Sequence, residues 1–582
     1  MATSEYLKLF NSVGTPPSSE SQWEEWVSAS KTRNFLSDDP LLDWLNLYGS
    51  NRGFQRDDEF LIYDSRTDFT EFILEQGRRF ETAVVKYIDS MWKVVTVATV
   101  PSEIRNVETA AKTFELMGEG SPIIHQGVLF DPPSKTYGAP DLLVRSDYLD
   151  EIFPDAIDRE VELGASPNLG SQEWYYLAVD IKFTTLKLVK SGDLGDSGSN
   201  PSYKTQLLIY NRALGWTQGK TPDHSFLLGR GWTQQSRRGS NCMERLAPVS
   251  QNGETRKRSI GELADDAAHW MRQVRLEGDD WEVVPEPTRP ELYPNMGNKQ
   301  DSPWQHAKKC IAEELNELTA LWNVGVEKRN VAHQSGILKW SDPKCTAEAV
   351  GVTGSKQGPI LQAILDVNQA GEGIPVRPER IQSVDEGWRT IAPLEFYVDF
   401  ETVSDLADDF SNIPTRGGQP LIFMIGCGHI ENGQWKFKCF VADAINESSE
   451  ANIIDNWLSY MTKASGREIA GLQSTPVIHW SQAEPSSFEK AYNSARSRHS
   501  ADSWPDLKWF DFWKKVVTAE PVVVKGAMGF GLKEFANALH FHGLIETRWE
   551  GNSLDGLGAM VGAWWSHEEA MTRAVTLEKI KL

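Results

Sequence analysis

The stretch Val179-Asp180-Ile181-Lys182, at the end of an apolar run, constrains this 582-residue chain more than any other. An acid and a lysine two positions apart in a strand lie on the same face, because successive side chains alternate. Upstream, Gly138-Ala-Pro-Asp141 supplies a second acid that can join them from a neighbouring strand. Two carboxylates beside an ammonium suit a hard divalent cation, Mg²⁺ or Mn²⁺, with the ammonium standing where a water attacks a phosphodiester. Acid and lysine also alternate on many solvated strand faces, so the flanking segments decide between the two readings.

Both flanks carry matching residues. Gln76-Gly77-Arg78-Arg79-Phe80-Glu81 opens an amphipathic helical pattern from which Glu81 can reach a metal. Downstream, Gln206 and Tyr210 are four apart, stacked on one helix face. In this order the motifs resemble the RecB-like branch of the PD-(D/E)XK nucleases, which includes the CRISPR-associated RecB-like exonucleases. That family runs GxxxE helix, GxxD strand, DxK strand and QxxxY helix, here Gly77/Glu81, Gly138/Asp141, Asp180/Lys182 and Gln206/Tyr210. The resemblance implies a restriction-endonuclease-like core and metal-dependent DNA hydrolysis. Glu81, Asp141 and Asp180 would hold Mg²⁺ or Mn²⁺, and Lys182 would orient the water and stabilise charge. Gln206 and Tyr210 would position substrate or the lysine. Several relatives carry an iron–sulfur cluster on four cysteines bracketing the core. No cysteine precedes the core here, so no such cluster is expected.

A second acidic strand lies far downstream, in Leu394-Glu-Phe-Tyr-Val-Asp399-Phe-Glu401. It is followed by Pro476-Val-Ile-His479-Trp480-Ser481-Gln-Ala-Glu484, by Trp509-Phe-Asp511 and by Gly529-Phe-Gly531. This order resembles the RNase H-like DEDD exonuclease domain that follows RecB-like domains in a group of predicted nucleases. The resemblance implies a second metal site of Asp399, Glu401 and Glu484, the last where the superfamily has Asp. The fourth acid of that group, in Tyr-Asn-x-x-Asp, has no counterpart before Leu582, and Asp555 precedes a glycine as turn residues do. Weak or no activity is therefore expected there. The alternatives are a 3′–5′ exonuclease on DNA or RNA through this second site, or a non-catalytic nucleic-acid-binding or partner-docking protein.

The chain is too long for one core. The expected α/β architecture is an N-terminal extension (1–75), a RecB-like nuclease domain (76–280), a Pro-rich linker with helical spacer (281–390) and an RNase H-like domain (391–582). Lys187 to Ser202 reads as a mobile Gly/Ser/Asp-rich loop. Glu314 to Ile337 reads as two helices joined at Gly325, similar to helix-hairpin-helix spacers. A net charge of −23 argues against tight non-specific duplex binding and favours DNA with free ends or single-stranded tracts. Basic residues that could line a groove are Arg230, Arg237 and Arg238, then Arg256, Lys257 and Arg258. His125 and His479 read as core or loop histidines. The five cysteines form no CxxC pair and suggest a reducing, intracellular compartment, with a cellular or a viral source equally compatible. The absence of an apolar run near 18 residues predicts no membrane span.

Overall fold

The strand Tyr176–Leu188 is the centre of the molecule, as its uninterrupted burial from Tyr176 to Ile181 requires. The computed structural model describes residues 2–157, 163–371, 373–382, 388, 390, 392–480, 487–548 and 556–568, and within them the chain is mixed α/β. Seven strands form the first sheet: β1 (Val94–Thr96), β2 (Ile123–His125), β3 (Leu142–Arg145), β4 (Tyr176–Leu188), β5 (His224–Gln234), β6 (Arg237–Gly239) and β7 (Leu246–Ser250). Their order is β7-β5-β4-β3-β2-β1, with β6 paired to β5. The β4–β5 and β1–β2 pairs are parallel, and β2–β3 and β3–β4 are antiparallel.

Two helices cover the faces of β4. α1 (Phe69–Asp89) is capped by Asp68, whose side chain accepts from the Thr70 and Glu71 amides. It buries Phe72, Gln76, Phe80, Val84 and Ile88, one residue every four. Phe80, Val84 and Ile88 pack with Leu177, Val179 and Ile181. α2 (Asn200–Gln218) packs against the other face, where Leu207, Leu208 and Tyr210 meet Tyr176 and Ala178. Asp180 and Lys182 alternate onto this second face.

The segments expected as an extension and a linker are packed. Tyr6, Phe10 and Trp26 join Phe114, Phe130 and Tyr137 in one cluster, and Val27 pairs with Thr136. Trp281, Val283, Leu292 and Tyr293 are buried with Trp44, Trp270 and Trp304, so residues 281–300 are not a free linker. The aromatic content of this stretch outweighs its prolines. Asp43 sits in this cluster and accepts from Asn34 Nδ2 at 2.7 Å and Trp270 Nε1 at 3.0 Å. Lys308 is fully buried, with Nζ 3.0 Å from Asp39 and 2.5 Å from Asp301. The two-helix hairpin around Gly325 is only half present. A helix spans Val326–Gln334, but the preceding helix stops at Leu315 and Leu318–Ala320 is a 3-10 turn. Asn316, at φ 53°, ends the earlier helix in a left-handed cap. The Lys187–Ser202 stretch is strand as far as Leu188. Beyond it Asp196 is tied to Lys204 Nζ and Thr255 Oγ1, at 2.6 and 2.7 Å.

A second, five-stranded sheet consists of β8 (Phe396–Val403), β9 (Leu421–Glu431), β10 (Gln434–Val441), β11 (Pro476–His479) and β12 (Lys508–Asp511), in the order β10-β9-β8-β11-β12. β8–β9–β10 is an antiparallel run, and β8, β11 and β12 are parallel. One face is covered by α3 (Glu447–Ser465) through Ile453, Ile454, Trp457, Leu458 and Met461. α4 (Leu532–Phe541) follows the last strand. α5 (Gly556–Glu568) packs on Val403, Leu421 and Phe423 together with Phe72 of α1. The segment between β8 and β9 reaches into the first body. Phe410 joins the Phe80 cluster, Gln76 Nε2 donates to Leu406 O at 2.9 Å, and Arg416 N donates to Ser240 O at 2.8 Å. Among the described residues no helix is long and apolar enough to cross a membrane.

Candidate active site

The β3–β4 register pairs Leu142 with Val179, which sets Asp141 opposite Asp180 on the α2 face. Asp180 is 1% exposed. Lys182 Nζ lies 2.5 Å from its Oδ2, while Oδ1 has no hydrogen-bond partner. Asp141 is also buried, and its Oδ2 accepts from the Ile181 amide at 2.6 Å. Its Oδ1 accepts from Gln126 Nε2 at 2.9 Å, and the same nitrogen donates to Glu81 Oε1 at 2.7 Å. His125 Nε2 donates to that Glu81 oxygen at 3.1 Å, and Thr96 Oγ1 lies 3.1 Å from His125 Nδ1. The five chain segments that carry the DxK motif, Asp141, Glu81, Gln126 and Tyr210 thus meet at one point.

The acids differ in charge preference. Burial, with repulsion from Asp180, pushes the Asp141 carboxyl well above the usual range, against the pull of Lys182. Burial also acts to raise Glu81. The hydrogen bonds from His125 and Gln126, with the Lys182 charge, outweigh it and hold this carboxyl below its ordinary value. Burial works against the Lys182 ammonium, but Asp180 and Asp141 more than compensate and raise its pKa.

The QxxxY pair lies alongside. Gln206 Nε2 donates to Tyr210 Oη at 2.7 Å, and burial raises the Tyr210 phenol. Gly138 explains its motif by space: a Cβ there would stand 2.5 Å from Tyr210 Cε1. Gly77 has no such constraint, since a Cβ would meet nothing within 4 Å. The Tyr203 ring centroid is 6.0 Å from Lys182 Nζ. The motifs did not reveal His125, Gln126 or Tyr203. His125, expected as a satisfied core or loop histidine, lies at the end of β2 with its ring nitrogens 3.1 Å from Glu81 and Thr96. Only their adjacency to Asp141 across the β2–β3 pair could have pointed to His125 and Gln126, and that pairing is not visible in sequence.

Among the described residues no group of three or more His, Cys, Asp and Glu could hold a metal ion as arranged. The Gln126 amide stands between Glu81 and Asp141. Asp180 Oδ1 is nevertheless a buried oxygen with no hydrogen-bond partner, on the carboxyl group that Lys182 meets through Oδ2. The all-oxygen carboxylate set has the chemistry that Mg²⁺ and Mn²⁺ take.

The downstream acids occupy a different surface. Asp399 and Glu401 share the β8 face opposite Phe396, Val398 and Phe400, and Asp399 pairs with Gly426. Asp399 is solvent-accessible, yet desolvation by the protein around it raises its carboxyl, opposed by the Phe400 amide and Lys533. Asp511 does not join them. It is in register with His479, and both are buried on the α3 face behind Val398. His479 packs edge-on to Phe488 and Trp509, and burial lowers its pKa against the nearby Asp511. Glu484 and Asp555 lie outside the described residues.

The basic candidates divide. Arg230 is buried, not groove-lining: its Nη2 is 2.9 Å from Asp405 Oδ1, its Nη1 donates to Asp405 O at 2.7 Å, and it lies over Phe183. It joins the two bodies because β5 neighbours the 404–418 segment. Arg237 and Arg238 are exposed on β6, with Arg237 over Trp232. Arg256 pairs with Asp38 at 2.8 Å and Arg258 with Asp266 at 2.7 Å, leaving Lys257 exposed between them. No family model matches this chain, and no curated protein does.

Proposed function

We propose that the site around Asp180 is the centre of a metal-dependent nuclease of the RecB-like PD-(D/E)XK type, acting on DNA ends or single strands. One observation carries the reading: Asp141, Asp180 and Lys182 converge on one strand-pair face, and Asp180 Oδ1 is buried without a partner. Glu81, Asp141 and Asp180 would hold Mg²⁺ or Mn²⁺. A divalent ion bound there supplies Lewis-acid offset of phosphate charge and a more acidic water. The chain's own residues do the rest. Lys182, whose ammonium form Asp180 and Asp141 favour, stabilises charge developing on the phosphoryl oxygens. Asp180 holds that ammonium in place at 2.5 Å. Tyr210 and Gln206 brace the wall beside it and orient the bound strand. The exposed Arg237, Arg238 and Lys257 would meet backbone phosphates.

The test is digestion of end-labelled single- and double-stranded DNA with Mg²⁺, Mn²⁺ or EDTA. Asp180→Ala and Lys182→Ala should each slow cleavage about 10²–10³-fold without unfolding the chain. Full activity of Lys182→Ala would refute the assignment. Circular and linear single strands of one sequence distinguish modes, and equal initial digestion of both would remove end dependence.

A second reading rests on the downstream sheet. Its order, with an antiparallel run followed by parallel strands and an acid pair on the face opposite α3, supports an RNase H-like exonuclease-type unit. Only Asp399 and Glu401 of the acids expected there are among the described residues, so this site is secondary in the proposal.

A further inference from the structure

Gln126 belongs to no motif, yet its amide nitrogen touches two of the proposed metal carboxylates, Glu81 at 2.7 Å and Asp141 at 2.9 Å. Its backbone is unusual as well. Gln126 has φ 53°, the left-handed region in which glycine is at ease and a glutamine is not. The turn is secured from both sides by its own backbone: Gln126 N donates to Asp141 O at 3.0 Å, and Gln126 O accepts from Ala98 N at 3.2 Å. Those bonds need no side chain. A glycine would make the same turn with less strain, so the side chain contributes nothing to the turn itself. Among the described residues, the partners of its side chain are the two carboxylates.

We propose that Gln126 is a member of the metal site, a neutral oxygen ligand that keeps the Glu81–Asp141 gap closed until a divalent cation enters. This rests on the nuclease reading above. The terminal torsion of glutamine is soft and broad. Exchange of its nitrogen and oxygen ends turns a donor to two carboxylates into a carbonyl oxygen facing a cation, with the rest of the side chain in place. In the metal-free protein the NH₂ end satisfies Glu81 Oε1 and Asp141 Oδ1. With the cation bound, the carbonyl end adds an uncharged hard oxygen to the carboxylates, of the kind Mg²⁺, Mn²⁺ and Ca²⁺ accept from amides. The amide stands in the gap between the two carboxyl groups.

The experiment measures Mn²⁺ binding to the full chain by isothermal titration calorimetry, together with melting in EDTA, for the parent, Gln126→Gly, Gln126→Glu and Asp180→Asn. Gln126→Gly should melt near the parent temperature, since relief of the left-handed backbone offsets the two hydrogen bonds it gives up, yet bind Mn²⁺ at least about tenfold more weakly. Gln126→Glu keeps an oxygen at the same reach and adds charge, so it should bind Mn²⁺ as tightly as the parent or more so. Parent-like Mn²⁺ affinity in Gln126→Gly, or weakened affinity in Gln126→Glu, overturns the ligand role. Asp180→Asn separates this from the parent reading. If Asp180→Asn binds Mn²⁺ as the parent does, the metal site itself is misassigned. If it loses binding while Gln126→Gly does not, only the role of Gln126 falls.

Discussion

Gly138→Ala adds one methyl group, and its cost can be worked from the surroundings. The new Cβ would stand 2.5 Å from Tyr210 Cε1 and 3.4 Å from the Ala29 Cβ. Carbon atoms settle about 3.5–4.0 Å apart, so the ring must retreat by about 1 Å. Tyr210 is 4% exposed and belongs to one buried cluster with Leu207, Leu208, Tyr176 and Ala178, so a retreat of the ring meets packed side chains. Overpacking of this kind costs about 1–3 kcal/mol. The catalytic effect should be larger than the folding effect. Tyr210 accepts from Gln206 at 2.7 Å beside Lys182, and a displacement of about 1 Å in such a wall costs about 10²-fold in rate. The assay pairs thermal melting with metal-dependent cleavage of end-labelled DNA. It repeats both in a Tyr210→Ala background, where the ring that the methyl strikes is gone. There Gly138→Ala should cost almost nothing, a strong non-additivity. Parent-like stability and rate in Gly138→Ala, or full additivity with Tyr210→Ala, would refute the steric argument.

Three further outcomes follow from buried charge and from the second acid pair. Asp43 is raised to about 7, first by burial, against hydrogen bonds from Asn34 and Trp270. The native chain then keeps a proton that the unfolded chain releases near 3.8, so stability falls as pH rises from about 4 to about 7, by about 4 kcal/mol at most. Melting as a function of pH should show this loss, and Asp43→Asn should flatten it; an unchanged slope in the variant would count against it. Lys308→Met strands Asp39 and Asp301 in the interior and should destabilise by about 3–5 kcal/mol in chemical denaturation. A loss below about 1 kcal/mol would mean that these acids are solvated or protonated in the parent. In an Asp180→Ala background, residual Mg²⁺- or Mn²⁺-dependent digestion should be weak or absent. Robust digestion that disappears only on adding Asp399→Ala would show the downstream site to be active.

The candidate site was legible where its chemistry is local. The DxK strand, the Glu81 helix and the Gln206–Tyr210 helix form where their periodicity puts them, because each is a short-range pattern of burial. What joins them was not legible. Gln126 and His125 enter through the pairing of β2 with β3, a long-range contact with no sequence signature. Arg230 looked like a groove cation because sequence cannot tell a solvated arginine from one buried against Asp405. The prolines of 281–300 suggested a linker, but Trp281, Leu292 and Tyr293 bury enough apolar surface to pin it down. The mixed α/β character was evident from alternating strand and helix patterns. The failed helix before Gly325 turned on Asn316, a residue tolerant of the left-handed cap.

The segment between β8 and β9 makes the two halves of the chain a poor pair for dissection. Phe410 lies within the apolar cluster beneath the Glu81 helix, Leu406 and Asp408 carbonyls accept from Gln76 on that helix, and Asp405 holds Arg230 on the strand beside the DxK motif. Cutting between residues 390 and 396 would strip the first body of one wall, leaving Gln76 and Arg230 without the groups they now meet. A fragment ending there would lack contacts that position the Glu81 helix and the strand beside the DxK motif. A shortened version that keeps residues 404–418 retains the geometry around Glu81, and the 404–418 peptide supplied in trans is the natural complement to a fragment that lacks it.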